Sequence, residues 1–105
     1  MKELTEKVHA LAVRKGWWDG EPSIPEKLTA IHSETSEAFE CYRNGEMSTS
    51  ISPSGKPEGF GVELADAVIR ILDLCGYLGI DLASEIELKH NYNTTRPHRH
   101  GGKRA

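Results

Sequence analysis

Four acidic residues in two pairs, Glu34 with Glu37 and Glu63 with Asp66, are the side chains of this sequence best suited to chemistry. Residues three apart on an α-helix project about 60° apart and one turn along the axis, so each pair aims both carboxylates the same way. If the two carrier helices face one another, four carboxylates converge. Such a cluster repels itself in a low-dielectric cleft unless cations sit within it, and a set of oxygen ligands favours Mg²⁺, Mn²⁺ or Ca²⁺ over Zn²⁺. Either pair alone is weak evidence, because Glu-x-x-Glu also serves ordinary ion pairing on solvated helix faces.

The hydrophobic pattern supplies the helices that must carry these pairs. Leu4, Val8, Leu11 and Ala12 share one face of a first helix over residues 3–15, which Gly16 ends. After a connection from Trp17 to Pro25, a second helix runs from about Pro25 to Arg43, with Asn44-Gly45 as its stop. Its apolar stripe is Leu28, Ile31, Ala38, Phe39 and Tyr42, and Glu34 and Glu37 border that stripe. Residues 44–60, rich in Gly, Ser and Pro, form a long loop without strand or hairpin signals; their Ser-Gly-Lys lacks the context of a P-loop. On a third helix, Gly61 to Leu78, the polar residues Asp73, Asp66, Tyr77, Arg70 and Glu63 occupy a narrow stripe and apolar or small residues fill the rest. That pattern predicts a helix buried nearly all round, whose acids need a metal or basic partners. Arg70 is the expected local partner of Asp73. A fourth helix from Asp81 towards Asn93 puts Lys89 and Asn93 on the face of Leu82 and Ile86, aimed at the core and the acidic stripe.

The chain of 105 residues reads as one domain, 1–105, with a modest core and an all-α architecture of four to five helices. A net charge of −3 argues against broad nucleic-acid or membrane-surface binding, although the tail from Arg96 carries Arg96, Arg99, Lys103 and Arg104 without an acid. Cys41 and Cys75 lack metal-type spacing and fit small core positions in a reduced, cytoplasmic setting. No apolar run approaches the length of a membrane span. Lys89 is a compact charge suited to a phosphate, and Asn93 can orient a water or a phosphate oxygen. Trp17 and Trp18 cannot both face one core direction, so one packs as a staple and the alternative role is stacking on a nucleobase. The histidines, His9 included, show no metal-ligand pattern.

The segments IHSETSEAFECYRNG, GFGVELADAVIRILDLCGYLGID and KHNYNTTRPHRHGGK, which cover most of residues 31–103, together resemble the MazG-like nucleoside triphosphate pyrophosphohydrolases of the all-α NTP pyrophosphatase superfamily. The resemblance implies that Glu34, Glu37, Glu63 and Asp66 bind Mg²⁺, with Mn²⁺ as a substitute, and that Lys89 and Asn93 contact phosphates or the metal's water shell. It implies hydrolysis of an NTP or dNTP to monophosphate and pyrophosphate, in a nucleotide-pool house-cleaning role, by a homodimer or a tetramer of dimers. In that reading Arg96 and Lys103 join Lys89 in offsetting pyrophosphate charge, and Trp18 meets the base. One departure bears on mechanism. Many relatives carry Glu-Glu where this chain has Ser33-Glu34, so Glu37, Glu40 or a hydroxide on the metal are left as the base. The alternatives are the same enzyme with a dedicated substrate, such as dUTP, dCTP or a damaged nucleotide, and a non-catalytic helical module that binds nucleotides or partner proteins.

Overall fold

The computed structural model describes residues 1–97, and Lys103 lies outside them. Four helices follow in chain order: α1 (Lys2–Arg14), α2 (Ile24–Arg43), α3 (Phe60–Leu78) and α4 (Leu82–Thr94). The chain is all-helical apart from a minimal antiparallel hairpin, β1 (Ser50–Ile51) and β2 (Pro57–Glu58), which pairs Ser50 with Glu58 and Ile51 with Pro57. The hairpin corrects the expectation of a loop without strand signals. Strands of two residues show no periodicity, and the informative signal was the Pro53-Ser54-Gly55 turn, where Gly55 takes a left-handed φ of 87°.

Local chemistry sets the helix ends. The Ser23 hydroxyl accepts a hydrogen bond from the Glu26 amide at 3.3 Å, and Pro25 lies in the first turn where no amide is needed. α3 stops at Gly79, whose φ of 70° lets its amide reach the Cys75 carbonyl. Asp81 caps α4 through the Ser84 amide and hydroxyl, and those bonds hold its carboxyl below the usual range.

α3 is the centre of the molecule and packs against both α2 and α1. The buried apolar set is small: Ala12, Ala38, Ala67, Leu72, Leu74 and Cys75. Asp73 is buried with them, 2% exposed, and its carboxylate accepts from His9 Nδ1 at 2.7 Å and from Trp18 Nε1 at 2.9 and 3.1 Å. The expected Asp73–Arg70 pair is therefore replaced by donors from α1 and from the α1–α2 connection. His9, read as featureless, becomes a core ligand. Where His9 passes α3 the position opposite is Gly76, and a Cβ there would stand 2.7 Å from His9 Cβ.

Two further expectations change. α3 is not buried nearly all round: Leu64 and Val68 are about half exposed, as are Leu28, Phe39 and Tyr42 of the α2 stripe. Among the described residues α4 packs closely on no other element and buries no residue, so Lys89 and Asn93 do not face the core.

Gly76→Ala is expected to destabilise the fold. Helix propensity favours alanine by about 1 kcal/mol, but the clash with His9 costs about 1–3 kcal/mol and pulls the imidazole off Asp73. Urea unfolding measures the balance; a variant as stable as the wild type would show that α1 is not held against α3 at this point.

Candidate functional site

The packing of α2 on α3 brings Glu34, Glu37 and Glu63 together, with one carboxylate oxygen of each within 4.8 Å of the others. Glu34 is buried at 8% exposure, Glu63 is half-buried and Glu37 is exposed, so the cluster runs from the helix interface to the surface. Ala38, next to Glu37 on α2, and Ala67, next to Asp66 on α3, are both buried and small. Asp66, one turn beyond Glu63, lies within electrostatic reach of Glu34.

Charge balance at the cluster is uneven. Arg70 Nε donates to Glu34 Oε1 at 2.8 Å, which satisfies the most buried acid. Glu63 has no such partner: its Oε2 is buried and without a hydrogen bond among the described residues. Burial first, then the adjoining Glu37 carboxylate, and then the charges of Asp66 and Glu34 push the Glu63 carboxyl up to about 7. Burial and Glu34 also raise Asp66, while Arg70 and Lys56 pull it back. The Cys41 thiol is raised by burial and then by Glu46, Glu63, Glu37 and Glu58, which places it on the rim of the same acidic region. An orphaned buried oxygen among converging carboxylates is a donor set suited to a hard divalent cation.

Of the remaining expected site residues that are described, Lys89, Asn93, Arg96 and Trp18, the structure brings none to this cluster. Lys89 Nζ sits 4.9 Å above the Tyr92 ring, and the Arg96 guanidinium lies 5.8 Å from the same ring. Lys89 and Asn93 line a shallow cavity of about 410 Å³ along α4 with Leu82, Glu85, Ile86 and His90. Trp18 is tied to Asp73, stacks on Tyr77 at 4.0 Å and has the Lys27 ammonium 4.1 Å from its centroid. Two neighbours that close cannot share one face, so no face of Trp18 is open for a base. Trp17 is the tryptophan linked to the acids, through Arg70 at 5.2 Å from its ring, and it is 41% exposed. Glu40 pairs with Arg43 at 3.0 Å and Ser33 is exposed on the same helix. Arg70 and Lys56 are the cations that sequence reasoning missed here. Arg70 had been assigned to Asp73; for Lys56 the signal was the Ser52–Lys56 turn.

No protein-family model, no curated protein and no solved structure matches this chain. No helix of the described residues is long and apolar enough to cross a membrane.

Because the folded-state value of Glu63 lies above its ordinary value of 4.5, the stability it contributes to the metal-free protein is full below that pH and is lost as pH rises through about 7. A cation entering the cluster must displace the proton. If Mg²⁺ binds through Glu63, adding it in weak buffer near pH 6 releases about one proton per chain, and almost none at about pH 8.5. Binding without any pH-dependent proton release would show that Glu63 is not a ligand.

Proposed function

We propose that this chain is a Mg²⁺-dependent nucleoside triphosphate pyrophosphohydrolase, which cleaves an NTP or dNTP to the monophosphate and pyrophosphate. The observation that carries the reading is the partnerless Glu63 oxygen inside the Glu34/Glu37/Glu63 cluster, a site short of positive charge. The motif resemblance over residues 31–103 supplies the reaction class. Glu34, Glu37 and Glu63 would hold the cation, with Asp66 one turn along α3 from Glu63. Bound Mg²⁺ supplies the charge that draws in a triphosphate and makes water more acidic. Glu37, the exposed acid of the cluster, takes the proton from the attacking water at a carboxylate oxygen, the role that Ser33 cannot fill. Arg70 holds Glu34 and also lies 5.2 Å from the ring of the exposed Trp17, which is thereby tied to the acids.

The working form in this reading is a homo-oligomer, a dimer or a tetramer of dimers. Its support is the uncovered apolar side chains of Leu28, Phe39 and Tyr42 on α2 and of Leu64 and Val68 on α3, together with the absence of a packed partner for α4. Lys89, Asn93 and Arg96 reach a phosphate site only from a copy whose α4 lies across it. A monomer by sedimentation equilibrium at the concentrations where the protein is active would exclude that arrangement.

Glu63→Gln and Asp66→Asn are expected to lower Mg²⁺-dependent turnover by at least about a hundredfold while helical circular dichroism is retained. The assay is release of pyrophosphate and monophosphate from each NTP and dNTP, with dUTP and dCTP in the panel. Wild-type turnover in both variants would sink the metal assignment. No product from any nucleotide would leave a helical binding module.

A further inference from the structure

Arg70 has two acids at pairing distance along its own helix, Asp66 four residues before it and Asp73 three after, and it bonds to neither. Its Nε donates across the helix interface instead, to Glu34 Oε1 at 2.8 Å. For Asp73 the reason is plain, since its carboxylate is taken by His9 and Trp18. For Asp66 it is not. Asp66 is exposed, and among the described residues no cation lies within 4 Å of it, so an ordinary same-helix pair with Arg70 has been passed over.

What stands beside Arg70 is Trp17, whose ring centre lies 5.2 Å from the guanidinium carbon, within the range of a cation–π contact. The backbone under that ring is fixed at both of its polar groups. Gly16, at a φ of 84°, turns the chain off α1, the Trp17 amide donates to the Ala12 carbonyl at 3.0 Å, and the Trp17 carbonyl accepts from the Lys27 ammonium at 2.9 Å. The next residue, Trp18, is bonded to the buried Asp73. The Trp17 ring is nevertheless 41% exposed, so core packing is not what it supplies. A planar guanidinium can meet a ring and still donate to a carboxylate, which an ammonium does less well.

Resting on the cation site of the reading above, we infer that Trp17 is a positioning residue for Glu34: its ring holds the Arg70 guanidinium at the α2–α3 interface, on Glu34 and away from Asp66. Glu34 then has one carboxylate oxygen committed to Arg70 and the other left for the cation. A hydrogen bond to a ligating group fixes its orientation, and losing such a partner typically lowers metal affinity about 10- to 100-fold. Trp17 acts one contact further out, and its effect is smaller. Without the ring, Arg70 is free to turn to Asp66, and Glu34 loses its fixed orientation although no charge has changed.

Calorimetric titration of the full chain with Mg²⁺ at about pH 8.5, where Glu63 is ionised, tests this with three variants that keep the net charge. Trp17→Leu keeps apolar bulk without a ring, Trp17→Phe keeps a ring, and Arg70→Lys keeps the charge without the planar fork. Trp17→Leu is expected to bind Mg²⁺ about fivefold more weakly, Trp17→Phe within about twofold of wild type, and Arg70→Lys about tenfold more weakly. In the Arg70→Lys background, Trp17→Leu is expected to add less than about twofold. Without metal, the Arg70 Nε–H resonance in NMR is expected to exchange slowly with water in wild type and Trp17→Phe, and fast in Trp17→Leu. Mg²⁺ affinity in Trp17→Leu within about 1.5-fold of wild type, or equal losses in Trp17→Leu and Trp17→Phe, overturns the positioning role and leaves the cation site standing. Wild-type affinity in Arg70→Lys overturns it too, whether or not Trp17→Leu retains its helical circular dichroism. The expected shifts in a protein that hydrolyses no nucleotide support the role of Trp17 and remove the hydrolase reading instead. A wild type that binds no Mg²⁺ overturns both.

Discussion

A carboxylate at 2% exposure has to find donors, since an ionised group taken out of water without them costs several kcal/mol. Asp73 finds one on α1 and one on the connection that follows it, and so decides where both segments lie on α3. The effect extends past the core. With Trp18 held by its indole nitrogen and stacked on Tyr77, the adjacent Trp17 is left beside Arg70, and Arg70 in turn holds Glu34. One buried acid on the third helix thus positions, through two tryptophans and an arginine, the most buried acid of the cluster. Truncation at Asp73 or Trp18 acts on the site by moving it and leaves its charges in place.

The cluster itself persists against its own electrostatics. Glu34, Glu37 and Glu63 are brought together by the contact of α2 with α3, helices on which the small Ala38 and Ala67 are buried. Their repulsion is relieved only in part. Arg70 answers Glu34 and Lys56 lowers Asp66, while Glu63 is left to answer burial and its neighbours by taking up a proton near neutral pH. A proton is the weakest available substitute for a cation, being readily exchanged and neutralising one acid alone. Packing therefore sets the cost of the site, and whatever enters it is bound partly by relief of that cost.

Periodicity made the four helices and the pairing of acids legible, because both depend on spacing within one element. It did not reveal what each face meets. The polar stripe of α3 looks uniform on a helical wheel, yet it serves two purposes: Asp73 ties down α1 and the connection, whereas Glu63 and Asp66 turn to α2 and the hairpin. His9 and Trp18 gave no sign of this, since their partner lies more than fifty residues away. Lys89 and Asn93 do share a face with Leu82 and Ile86, but among the described residues no helix packs closely against α4.

The two lysines make the distinction concrete. Lys89 stood out in the sequence because it sits on a regular helix, where its angular position can be calculated. Lys56 sat in a Gly/Ser/Pro-rich loop, where no angle exists until the turn at Ser52 and Gly55 is formed. In the structure the loop lysine is fixed through its backbone by the Ser52–Lys56 turn, and the helical one lies over an exposed tyrosine. An extended α4 with Ile86, Leu88 and Tyr92 all open to solvent is an unfinished packing surface, and burying it against a second copy would return apolar area that the small core of one chain does not supply.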